Sequence, residues 1–204
     1  MKNMLRDAAI LFAITVIAGA VLGFVYEVTK EPIAEQEARA RQEACQEVFA
    51  DAASFETLSG SEDSSVTGLA ENGYDKVSVD EVMEAKSSAG EALGYVIILT
   101  SHDGYNGDIQ FSMGLRKDGT LNGISLLAIS ETPGLGMRAE EVLKPQFAEK
   151  QVAGFSYTKS GAVSDDQIDA ISGATITTNA VVESVNAGLW YFQNVLEGGT
   201  GNES

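Results

Sequence analysis

The stretch GYVIILTSHDGYNGDIQFSMGLRKDGTLNGISLLAIS, residues 94–130, decides the fold. Three runs within it, 94–100, 108–116 and 123–130, are rich in Ile, Val, Leu, Phe and Tyr and are separated by glycine-bearing turns, the pattern of β-strands. Lys117-Asp118-Gly119-Thr120 supplies the Asp-Gly of a hairpin, and residues 102–107 join the first two strands through two glycines. An antiparallel meander is the expected topology. Toward the C-terminus, Val181, Val182, Val185, Leu189, Trp190, Phe192, Val195 and Leu196 recur at mostly helical spacing over residues 178–197, with Gly198-Gly199 as the stop. That segment is expected to be an amphipathic helix packed on the sheet, with Trp190 and Phe192 in the core. Sheet plus helix makes an α+β domain over residues 51–197, followed by a flexible tail, 198–204.

Toward the N-terminus, residues 8–25 are apolar or Gly except for Thr15. As a helix this run spans roughly 27 Å, close to the hydrocarbon thickness of a bilayer, so a transmembrane helix over 8–26 is expected. A cleaved signal peptide is the alternative, but the run is longer than a typical signal core, and its one small-x-small triplet, Ala18-Gly19-Ala20, lies inside it. Lys2 and Arg6 precede the helix, which by the positive-inside rule leaves residues 1–7 in the cytoplasm and the remaining chain in an extracytoplasmic position in the cell membrane. Gly19 and Gly23 form a GxxxG through which another helix could approach. Pro32 is expected to break the pattern, and the Ala-, Glu-, Gln- and Arg-rich segment that follows reads as a connecting helix within residues 27–50. Cys45 lies there, read as a half-buried small residue, not a redox group. Residues 59–65 read as a solvated loop.

Composition removes several classes of function. The 204 residues hold 13 Lys and Arg against 30 Asp and Glu, a formal charge of −17, which argues against nucleic acid as a partner. Lys2, Arg6 and Asp7 are the charges of the first 26 residues, so the rest carries −18. One Cys and one His build no common zinc or iron–sulfur site, and His102, in a turn, reads as an exposed loop residue and not a metal ligand. No Rossmann glycine pattern is present.

Two small-residue loops remain as candidate chemistry. Asp169-Ala170-Ile171-Ser172-Gly173-Ala174-Thr175-Ile176-Thr177-Thr178 feeds a helix N-terminus. Unpaired backbone N–H groups and the helix dipole favour an anion there without any Lys or Arg, and Gly173 and Ala174 permit close approach. Ordinary helix capping by Thr177 or Thr178 accounts for the same residues equally well. The other loop, Glu131-Thr132-Pro133-Gly134-Leu135-Gly136, combines fixed and permissive backbone with one apolar side chain; it suits a flat ligand, or a simple strand-ending turn.

Together these segments resemble the FMN-binding domain of the Rnf and Nqr ion-translocating electron-transfer complexes, the RnfG/NqrC family. Its flavinylation pattern, Asp, two variable residues, Ser or Thr, Gly, Ala, Thr, is filled by Asp169, Ser172, Gly173, Ala174 and Thr175. ETPGLG stands complete at 131–136, Gly104-Tyr105-Asn106-Gly107 is similar to the family's GYxG turn, and residues 29–34, TKEPIA, are similar to its exit from the membrane helix. Ile129 stands where many members carry His. Layout resembles RnfG more than NqrC.

The resemblance implies FMN joined through its phosphate to the Thr175 hydroxyl by a separate flavin transferase that uses FAD. Thr175 would then be a tether, not a catalyst, with Asp169 serving the transferase or holding the turn. Leu135 and the backbone of Gly134 and Gly136 would pack on the isoalloxazine, with Glu131 and Thr132 as polar contacts. Tyr105, Ser172, Gly173, Ala174, Thr177 and Thr178 complete the implied cofactor site, and Arg138 is placed to offset the domain's negative field. The implied function is electron relay, not independent catalysis, within an Rnf-type complex that passes electrons between ferredoxin and NAD while moving Na+ or H+, in contact with other membrane and peripheral subunits. An NqrC-like component of a quinone reductase, a stand-alone extracellular flavoprotein, and a membrane-anchored binding or scaffold module without flavin are the alternatives.

Overall fold

The computed structural model describes residues 2–58 and 68–197. The expected loop at 59–65 and tail at 198–204, with the Gly198-Gly199 stop, lie outside the described residues. Contacts divide the chain into two compact parts, one ending at Ala40 and one starting at Arg41. The first is helical. Helix α1, Lys2–Val48, contains the candidate membrane span and passes through Pro32 without interruption. The expected break at Pro32 is therefore absent. Proline deletes one N–H donor and crowds one earlier carbonyl, and the strong helix formers on both sides keep the remaining ladder intact.

The second part is built on a five-stranded antiparallel meander: β1 Ser54–Thr57, β2 Val77–Lys86, β3 Ala92–Ser101, β4 Ile109–Arg116 and β5 Leu121–Ile129, in that spatial order. The three strands read from sequence are β3, β4 and β5, and the Asp-Gly turn forms as expected, with Gly119 at φ 84° and the Thr120 N–H donating to the Asp118 carboxylate at 2.9 Å. β1 and β2 are additions. In β2 a bulge between Val79 and Glu81 changes which parity faces which side: Val77, Val79 and Val82 enter one core, Met83 and Ala85 the other. A short helix α2, Ala139–Val142, follows β5, and a parallel pair, β6 Ser156–Thr158 and β7 Gln167–Asp169, leads to helix α3, Thr175–Tyr191.

Both sheet faces are covered, which explains the unbroken apolar run in β3. Ile97 and Leu99 belong to the core under α3, while Val96 and Ile98 belong to the core on the opposite face. Gly188 brings α3 close to the sheet, because a Cβ there would stand 2.5 Å from Met113 Sδ. Residues of α1 from Arg41 onward fill the opposite side. Cys45, Val48 and Phe49 are buried there, Gly114 of β4 leaves no room for a Cβ against Val48 (2.7 Å), and the Ser112 hydroxyl donates to the Ala44 carbonyl at 3.1 Å. The compact domain thus begins ten residues before the expected boundary at 51. Burial pushes the Cys45 thiol up to about 11, with Glu81 adding to the effect, so its reactive thiolate is suppressed.

Helix α3 starts three residues before the expected position and ends sooner, its last turn widening into a π-turn, Phe192–Leu196. Phe192 is buried and Trp190 half-buried against the core, as expected.

Candidate functional site

Three segments meet at the N-terminus of α3: the loop 104–107 between β3 and β4, the loop 131–136 after β5, and residues 173–177, the end of the preceding turn and the first turn of α3. They enclose an open cleft of about 480 Å³. Tyr105 comes from the first loop, Glu131, Thr132, Leu135 and Gly136 from the second, and Gly173 to Thr177 from the third.

The third segment is shaped by Gly173, at φ 79°, with its Cα face against Leu135; a Cβ there would lie 3.1 Å from Leu135 Cδ2. Ala174 occupies the N-cap and no side chain caps the helix. Capping by Thr177 or Thr178 is therefore overturned. The reason is geometric: with Thr175 as the first helical residue, both lie inside the first turn, where their hydroxyls reach other partners. The Thr177 hydroxyl donates to Glu131 Oε2 at 3.0 Å. Thr178 Oγ donates to the Ala174 carbonyl at 2.9 Å and accepts the Ile171 N–H at 3.1 Å, fastening the turn to the helix. Among the described residues the half-exposed Thr175 hydroxyl has no such partner, and Thr175 lines the cleft. No side chain caps the first-turn N–H groups, and Ala174, Thr175, Ile176 and Thr177, the residues of that end, all line the cleft.

In the second loop Glu131 is buried, 5% exposed. Oε1 accepts the Asn106 N–H at 3.3 Å, Oε2 accepts the Thr177 hydroxyl, and Asn106 Nδ2 donates to the Ser130 carbonyl at 2.7 Å. Gly136 leaves space for this carboxylate: a Cβ there would stand 2.7 Å from Glu131 Oε2 and from Thr177 Oγ1. On the other side, a Cβ at Gly104 would meet the Gly107 carbonyl first, at 2.1 Å, and Glu131 Oε1 at 2.9 Å. The mouth is apolar, with Tyr105 67%, Ile176 51% and Leu135 41% exposed, side chains left in water around a concavity. Among the described residues, no Lys, Arg or His lines the cleft.

Other residues singled out in the sequence stand elsewhere. Asp169 ends β7 and accepts the Ala162 N–H at 2.7 Å, with its own N–H donated to Gln146, so it braces the 159–163 loop. Ser172 and Gly134 are exposed in the turns beside the cleft, and Thr178 lies beneath it. Arg138 pairs with Glu141 at 3.6 Å and does not line the cleft. His102 bonds Asp108 at 3.1 Å and Ser78 at 3.3 Å, an exposed residue as read. Ile176 is a cleft residue that the sequence does not single out. Its only signal is its place next to Thr175 in a helix whose first turn reads as loop.

The fold and cleft define a small α+β ligand domain carried behind an N-terminal apolar helix. Residues 104–189 match the FMN-binding domain family, which speaks against a scaffold module without flavin, and residues 1–48 match the RnfG N-terminal region. The chain is 34% identical to the G subunit of the Na(+)-translocating ferredoxin:NAD(+) oxidoreductase complex of Acetobacterium woodii, over 95% of this chain and 94% of that one. It is 32% identical to the G subunit of the ion-translocating oxidoreductase complex of Methanosarcina acetivorans, covering 93% and 95%. A crystal structure of NqrC from Shewanella oneidensis gives a TM-score of 0.49 at 19% identity, covering 60% of this chain and 61% of that one. The chain belongs to the RnfG family of Rnf-type ion-translocating oxidoreductase complexes.

Proposed function

We propose that this protein is a membrane-anchored electron relay of an Rnf-type complex, carrying FMN through a phosphoester to Thr175. The observation that carries the proposal is the uncapped N-terminus of α3 with the Thr175 hydroxyl unengaged at the cleft wall. A phosphodiester keeps one negative charge, and with no basic side chain among the described residues of the cleft wall its stabilisation falls to the first-turn N–H groups and the helix dipole. Attachment by a transferase using FAD forms the bond from Thr175 Oγ to phosphorus, breaks the pyrophosphate bond, and releases AMP and the hydroxyl proton.

FMN, when bound, supplies the electron transfer, and the protein supplies its position and surroundings. Leu135, Ile176 and Tyr105 offer the apolar surface that a flat ring system covers. Thr132 and the carboxylate of Glu131 are the polar side chains that the second loop brings to the cleft wall. Two features support Rnf over Nqr: similarity along nearly the whole of the RnfG relatives, and the match of residues 1–48 to the RnfG N-terminal region. We place Lys2 and Arg6 on the cytoplasmic side, the apolar stretch of α1 across the membrane, and the domain outside, where a covalent link prevents loss of the cofactor. Partners are the remaining subunits of the complex and the flavin transferase.

The test is Thr175→Ala in cells making the transferase. The variant is expected to fold and to show no flavin fluorescence on a denaturing gel, while the parent protein fluoresces. A fluorescent Thr175→Ala band would contradict the assignment.

A further inference from the structure

Among the described residues, Glu131 is the one acidic side chain lining the cleft, and its carboxylate is the only group there that bonds both neighbouring loops. We propose that Glu131 is a positioning residue: it locks the 104–107 turn and the first turn of α3 onto the 131–136 loop, and places a negative charge in the cleft wall that disfavours electron uptake there. This inference rests, for its second half, on the flavin reading above.

Burial of a carboxylate is costly unless its oxygens are bonded, and here each oxygen takes one donor from a different loop. A Cβ at Gly136 would meet the Glu131 side chain and Thr177 Oγ1 at 2.7 Å, so the carboxylate and its partner occupy the space that keeps this position glycine. Burial, paired donors and the glycine at 136 all converge on one side chain. Because Asn106 follows Tyr105, the bond to its N–H also sets where that exposed ring stands at the mouth.

Two substitutions separate position from charge. In Glu131→Gln the amide oxygen can still accept the Asn106 N–H, and the amide nitrogen can donate to Thr177 Oγ, whose proton rotates away. The locks survive and the charge is gone. Glu131→Ala removes both. Amide hydrogen exchange of the unloaded full-length protein is expected to show Asn106 exchanging about tenfold faster in Glu131→Ala and near the parent rate in Glu131→Gln. In FMN-loaded protein, Glu131→Gln is expected to raise the midpoint potential. Unchanged Asn106 exchange in Glu131→Ala would overturn the positioning role, and an unchanged or lowered potential in Glu131→Gln would overturn the electrostatic one. If the parent protein carries no flavin, the flavin reading fails on its own while the exchange result still decides the positioning role.

Discussion

Three threonines stand within four positions at the start of α3, and their hydroxyls do three different things. Thr178 ties the preceding turn to the helix, Thr177 bonds a buried carboxylate, and Thr175 is left for the cleft. Spacing and composition make all three equivalent small polar residues; only the family resemblance singles out Thr175. What separates them is the starting point of the helix, which the Thr-rich first turn conceals because it looks like loop. The glycines are more legible as a pattern than as a cause. Gly136 reads as turn permissiveness, yet it is the space beside Glu131 and Thr177 that requires it. Gly136→Ala is therefore expected to destabilise the domain by about 1–3 kcal/mol, the usual cost of overpacking, as a fall in the urea midpoint at unchanged slope. A midpoint within error of the parent would show that the loop yields without cost.

At the scale of elements, β3 to β5 are readable because their apolar runs are flanked by strong turn residues. β2 is not, because its bulge interrupts the two-residue period midway and several of its half-buried positions are charged. β6 and β7, three residues each, are too short to carry a period. The end of α1 holds a fainter signal: Ala44, Cys45 and Val48, with Phe49 just past it, form a buried stripe at helical spacing inside a charged segment that reads as a connecting helix. That stripe fixes where the domain starts. A chain beginning at Arg41 is expected to unfold cooperatively, whereas one beginning at Asp51 loses the cover of Val96 and Ile98 and the Val48 carbonyl that accepts Asn122 Nδ2 at 2.8 Å. Thermal unfolding of the two truncations decides this, and equal midpoints would contradict it.

Over the whole molecule the excess of acid makes each buried or half-buried cation matter. Lys144 bonds Glu47 at 2.7 Å and also pairs with Glu140, joining the end of α1 to the segment after α2. Burial pushes the Glu47 carboxyl up, but the bonds from Lys144 and Ser125 together outweigh it and hold the group below its ordinary 4.5. A carboxylate with a depressed folded value stabilises fully above its unfolded value and loses that contribution as pH falls through the folded one. The parent's advantage over Lys144→Met is thus expected to be largest near neutrality and to shrink below about pH 4.5, read from denaturant midpoints across pH. A difference independent of pH between about 7 and 3 would contradict the pairing.

At this same scale, under the proposed function, membrane anchor, sheet and cleft serve one end, holding a flavin outside the membrane within reach of its redox partners. The most direct measurement is mass spectrometry of the peptide containing Thr175, from protein purified out of membranes in which the transferase is active. That peptide is expected to carry the mass of FMN less water, fixed at Thr175 by fragmentation. An unmodified Thr175, or flavin that leaves the protein on denaturation, would contradict the electron-relay assignment.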